Sequence, residues 1–230
     1  MYPRANDIEA ARISRRDLIG RIAIGVAHEI RNPLTVIKGY LQLQGKKSAY
    51  CTGESLDIIL QELHKIEELV TDIISLAHNK VSKKTPENLN RILEKVYPDV
   101  RRAAARNGIV AELRLSDNLP LLNLNAEEIE QLIMNLAYNG IEAMRTSGRL
   151  TLGAVRESNG VILYVQDEGR GIPPEQIEQI FDPFYTTKAN NTGLGLAVSL
   201  SIVERHQGEI EIISTIGAGS VFKILFPVVE

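Results

Sequence analysis

A heptad of apolar residues in the first third of the chain restricts its fold most strongly. The apolar side chains step alternately by three and four positions at Leu56, Ile59, Leu63, Ile66, Val70, Ile73 and Ala77. Such a seam belongs to a helix whose apolar edge is buried against other helices. The pattern therefore predicts a helix over residues 56–77 that is stable only with helical partners.

A second helix is predicted over residues 14–46, before a polar break from Gly45 to Gly53. Pro33 lies inside it and should bend it. Its apolar face is formed by Ile19, Ile22, Val26, Ile30, Ile37 and Leu41. Because each helix of a hairpin touches only one neighbour, two hairpins paired into a four-helix bundle bury both apolar faces better. We therefore predict a homodimer; the alternative is an intramolecular hairpin that packs on the second half of the chain.

One histidine lies on the opposite, solvent-facing side of this first helix. It is His28, with Glu29 beside it and Asn32 about one turn further on. A histidine in this position is available to another molecule, although an idle surface histidine would produce the same pattern.

Composition restricts the class of protein. The chain has 230 residues, of which 44% are hydrophobic, so it has room for one or two buried cores. The net charge of −3 argues against a nucleic-acid partner. Cys51 is the single cysteine, which rules out intramolecular disulfides and fits a cytosolic compartment. Every apolar run is shorter than the ~20 residues that span a bilayer, and no signal peptide is evident. We expect a soluble, cytoplasmic chain.

The pattern changes after a polar, basic segment that ends at Pro86, which we interpret as a linker. The patterns beyond it predict helices over residues 88–105, 126–144 and 195–206, and strands over 109–115, 121–124, 150–155, 161–165, 209–214 and 221–226. Interspersed helices and hairpin-linked strands predict an α+β sandwich, with a mostly antiparallel sheet and helices on one face. The predicted boundaries are a helical domain over 1–79, a linker over 80–87 and the sandwich over 88–230.

Two asparagines on the predicted helix 126–144 are spaced for one site. Asn135 and Asn139 are four residues apart, so their amides project from the same helical face. Carboxamide oxygens are hard ligands suited to Mg²⁺, whose other ligands are usually waters and phosphates. The pair suggests a metal–nucleotide contact, but asparagines are also commonplace on helix surfaces.

A glycine-rich segment follows the predicted strand 161–165. Gly169 and Gly171, one residue apart, let the backbone approach a ligand closely. Asp167, at the strand end, is placed to accept a hydrogen bond from an exocyclic amine such as that of adenine. The alternative is an ordinary glycine–proline turn ending at Pro173.

A second glycine segment, Thr192-Gly193-Leu194-Gly195-Leu196, opens the predicted helix 195–206. Free amides at a helix N-terminus, together with the helix dipole, form a phosphate cradle. The spacing matches neither the P-loop nor the Rossmann fingerprint. The polar stretch from Lys188 to Thr192 has the length of a lid, with Lys188 as a charge partner for phosphate.

These motifs stand in a fixed order along the chain. The runs are His28-Glu29-Ile30-Arg31-Asn32-Pro33, Asn135–Asn139, Asp167–Gly171, Phe181–Tyr185, Gly193–Leu196 and Gly217–Ser220. Their order and spacing resemble the phosphoacceptor box, N box, first glycine box, F box, second glycine box and closing segment of bacterial sensor histidine kinases. The amino-acid sequence around His28 is most similar to that of sporulation-type kinases of endospore-forming bacteria. The resemblance implies a dimeric four-helix bundle followed by a GHKL, or Bergerat-type, ATP-binding sandwich.

The resemblance also implies a function, an ATP-dependent protein-histidine kinase that uses ATP and Mg²⁺. It makes His28 the phosphoacceptor and Glu29 the general base, while Asn32 orients a water for phosphatase activity or is an inert neighbour. It makes Asn139 the metal ligand. The implied nucleotide-binding set is Asn135, Asn139, Asp167, Gly169, Gly171, Lys188, Thr192, Gly193, Leu194, Gly195, Leu196 and Ser220.

The implied partners are a second copy of the chain, a response-regulator receiver domain and a small protein inhibitor on the helical hairpin. A sensor region, membrane-anchored in some family members, is absent, so the chain is either a fragment or a short kinase. The motifs do not decide whether phosphoryl transfer runs within or between subunits.

Two positions depart from the family pattern. Asn191 replaces the usual first glycine of the second glycine box, and Gly140 replaces a common alanine.

Two other classes of protein are alternatives to the kinase. A GHKL-type ATPase or chaperone would carry a water-activating glutamate near Asn135 and no acceptor histidine. A non-catalytic scaffold would have a degenerate nucleotide site. Because an amide cannot act as a base, Asn135 predicts slow ATP hydrolysis.

Overall fold

The structure is a computed structural model that describes residues 25–27, 29–42, 53–76, 82–144, 147–187 and 192–228. Two predicted site residues, His28 and Lys188, lie outside these ranges, as do Asn191 and the loop between the first two helices. Their predicted roles therefore stay predictions.

The first part of the chain is helical, as the apolar periodicities predict. Helix α1 covers residues 25–27 and 29–42, and the chain stays helical through Pro33. Helix α2 covers Gly53–Leu76. Three of the heptad side chains on α2 are exposed within a single chain, at 49%, 44% and 42% for Leu56, Leu63 and Val70. Ile59 is buried and Ile66 and Ile73 are half-buried, so the described part of one copy covers the apolar seam only in part.

The second part contains the remaining elements. In order these are β1 (Thr85–Glu87), α3 (Leu89–Arg106), β2 (Val110–Leu115), β3 (Leu122–Leu124), α4 (Ala126–Ala143), β4 (Arg149–Glu157), β5 (Gly160–Asp167), a short 3₁₀ turn (Pro174–Gln176), α5 (Gly195–Arg205), β6 (Glu209–Thr215) and β7 (Gly219–Pro227). Asn88 and Asn125 accept N–H bonds from the first turns of α3 and α4 (2.9 and 3.0 Å), which explains where both helices begin.

The predicted α+β sandwich is confirmed. The main sheet has the order β2-β4-β5-β7-β6, with β2 parallel to β4 and every other pair antiparallel. Its buried side chains interleave with those of the helices, and fully buried members include Leu93, Leu132, Ile133, Leu152, Leu163 and Ile224. The end of β5, at Asp167, and the start of α5, at Gly195, both line the cleft described below.

The end of the predicted linker differs from expectation. Thr85–Glu87, placed in the linker over 80–87, instead forms β1 and pairs antiparallel with β3. Pro86 sits in this edge pairing opposite Asn123, where a missing N–H is tolerated. The chain therefore joins the sandwich fold three residues earlier than its composition indicates.

The described helices include none that is long and apolar enough to cross a membrane.

A buried polar cluster ties the helical part to the sandwich. The Arg205 guanidinium, at the end of α5, lies 3.3 Å from the carboxylate of Glu128 and donates to the Ser75 carbonyl at 2.7 Å. Lys84 donates to the Arg205 carbonyl. A cation at the C-terminal end of α2 also complements the helix dipole. These bonds anchor α2 and the connecting segment on α5.

His206 belongs to the same cluster and is held neutral. Its Nδ1–H donates to the Ile202 carbonyl at 2.8 Å, and its Nε2 accepts the Asn125 N–H at 3.0 Å. The side chain is buried, and burial lowers the pKa of the imidazole, outweighing the backbone bond and nearby Glu128, both of which raise it. Lys84 and Arg205 lower this pKa further.

We expect this histidine to make folding stability depend on pH. The unfolded pKa is about 6.5 and the folded pKa lies below it, so the stabilisation is complete above pH 6.5 and is lost as the pH falls. One proton allows a slope of at most about 1.4 kcal/mol per pH unit. His206→Gln should flatten the dependence of unfolding free energy on pH between 7.5 and 5.5, whereas His64→Gln, at an exposed position on α2, should not. Equal slopes in His206→Gln and the parent chain would contradict this.

Candidate active site

A cleft of about 1090 Å³ lies between the helical part and the sandwich. Its helical wall includes Glu29, Asn32, Pro33, Val36, Glu62, Lys65, Leu69 and Asp72, and its opposite wall includes Asn135, Asn139, Asp167, Gly171, Thr192, Gly193, Gly195, Leu196 and Ser220. The structure thus brings most of the predicted site residues to one cavity. Gly169 and Leu194 do not line the cavity; the Gly169 N–H donates to Asp167, and Leu194 is fully buried.

Asp167 is a buried carboxylate at the end of β5. It is 5% exposed, and its Oδ1 accepts the Gly169 N–H at 2.8 Å. Ser220 is its partner in the antiparallel register of β5 and β7. A carboxylate held in this way presents an acceptor to a base that enters the cleft.

The turn after Asp167 requires glycine for steric reasons. Gly171 has φ +72°, and a Cβ there would stand 2.2 Å from the Thr215 carbonyl oxygen. The Gly217 N–H donates to the Arg170 carbonyl at 2.8 Å in the same crossing. The first glycine segment is therefore pressed against the β6–β7 hairpin, and this contact closes one end of the cleft.

The sequence patterns did not identify Ser214, which orients Ser220. Its hydroxyl donates to the Gly219 carbonyl (3.1 Å) and accepts the Ile172 N–H (2.8 Å). It lies 2.9 Å from the Ser220 hydroxyl, which must then be the donor of that pair and keeps its lone pairs for a ligand. The hairpin register, which pairs Ser214 with Ser220, was the available signal.

The two asparagines of α4 face the cleft together, as their spacing predicts. Asn135 Nδ2 donates to the Gly195 carbonyl at 3.0 Å, and Ser199 Oγ donates to the same oxygen at 2.7 Å. Asn135 therefore fixes the first residue of α5 as well as lining the cavity. Asn139, one turn on, contributes a hard carboxamide oxygen of the type that suits Mg²⁺.

The second glycine segment forms the start of α5. Gly193 has φ +68°, and a Cβ there would stand 2.6 Å from the Phe184 carbonyl carbon. Leu194 is fully buried, and its N–H donates to Thr192 Oγ1 at 3.3 Å. The first turn of α5, at Gly195 and Leu196, lines the cleft with its amide end. An anion is favoured there by the N–H groups and the helix dipole.

The segments on either side of the predicted lid, Lys188 to Thr192, are held close together. The Phe184 N–H donates to the Gly193 carbonyl at 3.1 Å. Near this closure the Arg170 guanidinium donates to Thr187 Oγ1 at 3.0 Å. No local sequence pattern indicates a role for Arg170, because its partner lies 17 residues away across a loop. Both bonds fix the described segments that flank the predicted lid, beside the cleft residues Arg170, Thr187 and Gly193.

Fold and site first define a class: a GHKL-type ATP-binding domain that faces a helical pair across a nucleotide-sized cleft. Two family profiles match, "His Kinase A (phospho-acceptor) domain" over residues 19–80 and "Histidine kinase-, DNA gyrase B-, and HSP90-like ATPase" over 124–230. Sporulation kinase C of Bacillus subtilis is 34% identical over 224 residues, covering 96% of this chain and 52% of that protein. Sensor histidine kinase ZraS of Salmonella typhi is 35% identical, with 92% and 46% covered.

Solved structures agree with these relatives. The catalytic domain of histidine kinase ThkA has a TM-score of 0.57 and 32% identity, covering 63% of this chain and 95% of that one. ThkA in complex with response regulator protein TrrA has a TM-score of 0.74 and 30% identity, with 97% and 66% covered. The chain belongs to the sensor histidine kinase family. It spans about half the length of sporulation kinase C.

Proposed function

We propose that this chain is an ATP-dependent protein-histidine kinase that phosphorylates His28 and passes the phosphoryl group to an aspartate of a response regulator. One observation carries the proposal. Glu29 and Asn32, which flank His28 in the sequence, line the same cleft as Asn139 and Asp167. A nucleotide in this cleft would place its phosphates between the start of α5 and the acceptor helix.

Each wall of the cleft then has a role toward ATP. The Asp167 carboxylate accepts a hydrogen bond from the adenine amine, and Ser220 lies beside Asp167 on the neighbouring strand. The α5 amides at Gly193–Gly195 and the Lys188 ammonium bind phosphate oxygens. Asn139 holds Mg²⁺, which when bound neutralises phosphate charge, and Asn135 supports the phosphates.

The transfer step needs little covalent chemistry from the protein. A nitrogen of the His28 imidazole attacks the γ-phosphorus, the bond to the bridging oxygen breaks, and ADP leaves with that electron pair. Glu29 orients the imidazole and accepts its proton. In this single chain both walls of the cleft come from the same copy, and on that ground we propose that transfer runs in cis.

The proposed assembly is a homodimer. Leu56, Leu63 and Val70 leave an apolar stripe on α2, and burying it against a second copy forms the four-helix bundle. A shallow hollow on the exposed side of α1, between Ile30, Arg31 and Leu34, supports docking of a receiver domain. ThkA, a related kinase, was solved with its response regulator. A small protein inhibitor would compete for the same hairpin surface.

Because the chain spans about half of sporulation kinase C, we propose that a sensor region, membrane-anchored or not, controls this core from outside the chain and that the core itself works in the cytoplasm. Asn32, four positions after His28 in the sequence, is exposed and is the candidate to orient a water for dephosphorylation of the regulator. Asn32→Ala should then lose phosphatase activity and keep kinase activity.

Asn135 should limit wasteful hydrolysis. Its amide cannot act as a base, whereas Asn135→Glu introduces a carboxylate that can activate water. We expect a higher ratio of free phosphate to phosphohistidine in Asn135→Glu. Nucleotide affinity should fall as well, because a carboxylate cannot donate to the Gly195 carbonyl. An unchanged ratio, measured after correction for bound nucleotide, would contradict the role assigned to Asn135.

Incubation with γ-labelled ATP and Mg²⁺ tests the proposed function against its two rivals. A kinase gives an acid-labile, base-stable label that disappears in His28→Ala and persists in His64→Ala, the exposed histidine of α2. Release of free phosphate without label on the chain would indicate a GHKL-type ATPase. Absence of both label and hydrolysis would indicate a scaffold. Either of the last two results overturns the proposal.

A further inference from the structure

The ring of Phe184 lies directly on helix α1 at Gly25. A Cβ built on Gly25 would stand 2.7 Å from each of Cγ, Cδ1 and Cδ2 of that ring. Real Cβ atoms do not approach carbon this closely, since contact distances between carbons are about 3.5–4.0 Å. The three equal distances place Gly25 over the ring face at its attached end, where a rotation of the ring about its Cβ–Cγ bond leaves Cγ in place and does not relieve the overlap.

The backbone at Phe184 is itself constrained. Its φ is +66°, a conformation that is uncommon for a bulky residue. Its N–H donates to the Gly193 carbonyl at 3.1 Å, and Gly193 approaches the Phe184 backbone closely. The position of the ring is therefore set by the segment that opens α5, the predicted phosphate cradle.

Gly25 is also close to the acceptor in the sequence. It precedes His28 by three positions, which corresponds to about one helical turn. The contact between Gly25 and Phe184 thus connects the phosphate-binding segment to the acceptor helix one turn from the reacting side chain.

We propose that Phe184 is a positioning residue that docks α1 on the nucleotide site. Position 25 must be glycine, because the Phe184 ring packs directly against its backbone. The proposal rests on the proposed kinase function and adds a device for aligning the acceptor with the phosphates. Small misplacements of reacting groups are costly in such transfers. A side chain at Gly25 should therefore slow phosphoryl transfer without touching ATP.

The effect of Gly25→Ala on the stability of α1 should be opposite to its effect on phosphoryl transfer. Alanine is a better helix former than glycine, so Gly25→Ala favours α1 as a helix. A loss of transfer in this variant would therefore not follow from loss of the helix. Gly39→Ala is the matched control, because it makes the same change in the same helix where no atom lies within 4 Å of the new Cβ.

The test measures His28 phosphorylation at saturating and limiting ATP in Gly25→Ala, Gly39→Ala, Phe184→Ala and the double variant Gly25→Ala/Phe184→Ala. We expect kcat to fall about tenfold or more in Gly25→Ala, as misplaced reacting groups do, with the dissociation constant of a fluorescent ATP analogue unchanged. Gly39→Ala should match the parent. The double variant Gly25→Ala/Phe184→Ala should have the same kcat as Phe184→Ala alone, because the ring that the new Cβ would meet is absent.

Parent-like kcat in Gly25→Ala, or full additivity of the two losses, would overturn the positioning role. Loss of label in the parent and in Gly39→Ala alike would instead overturn the proposed function on which it rests.

Discussion

Asp167→Asn is expected to weaken ATP binding by about 100-fold while the fold stays intact. The carboxylate has a hydrogen-bond donor on each side: the Gly169 N–H at 2.8 Å and, in the proposed complex, the adenine amine. An asparagine of the same shape must turn its NH₂ toward one of these two donors. The loss of a buried bond to a charged acceptor costs about 1.5–3 kcal/mol, and an opposed donor adds to this.

Titration with a fluorescent ATP analogue, alongside thermal unfolding, measures this effect. Glu168→Gln is the matched control, because its carboxylate is the next residue along the chain and is exposed. The control should bind like the parent chain. If Asp167→Asn and Glu168→Gln bound the analogue equally well, the adenine would not lie at Asp167.

Asn139→Ala is expected to lower the phosphorylation rate by about 100-fold or more, comparable to the removal of one preorganised electrostatic contact at a reacting centre. The variant loses the carboxamide oxygen that would hold Mg²⁺, but Asp167 and Ser220 still form the adenine pocket. Metal-free nucleotide should therefore bind almost normally. The Mg²⁺ concentration that gives half the maximal rate should rise.

The measurement is the initial rate of His28 labelling across a Mg²⁺ series, with analogue affinity in EDTA measured in parallel. Asn123→Ala, on the exposed side of β3, serves as an asparagine control far in sequence from the motif. An unchanged Mg²⁺ requirement in Asn139→Ala would rule out this residue as the metal ligand.

Local signals predicted most of the sandwich. Asn88 and Asn125 are caps, so the starts of α3 and α4 are encoded within a few residues. The amides of Asn135 and Asn139 share a helical face by spacing alone and reach the same cleft. The first turn of α5 was likewise predicted from glycine and helix periodicity. Each of these features depends on contacts within a single element.

The missed features depend on contacts between elements. β1 is three residues long and contains Pro86, so no alternation marks it, and its pairing with β3 forms only in the folded chain. Ser214 acquires its role from hairpin register. The contact of Gly25 with Phe184 joins segments more than 150 positions apart, and spacing rules carry no information over that distance.

In the proposed mechanism, one chain supplies both the ATP site and the acceptor helix. Heterodimers of His28→Ala with Asn139→Ala, separated by two affinity tags, test it with γ-labelled ATP. We expect no label above the Asn139→Ala homodimer, because neither chain holds a working site and an acceptor together. Heterodimers of the parent chain with the His28→Ala/Asn139→Ala double variant should label the parent chain, which shows that mixed dimers are active. Label on the Asn139→Ala chain of the first heterodimer would contradict the claim.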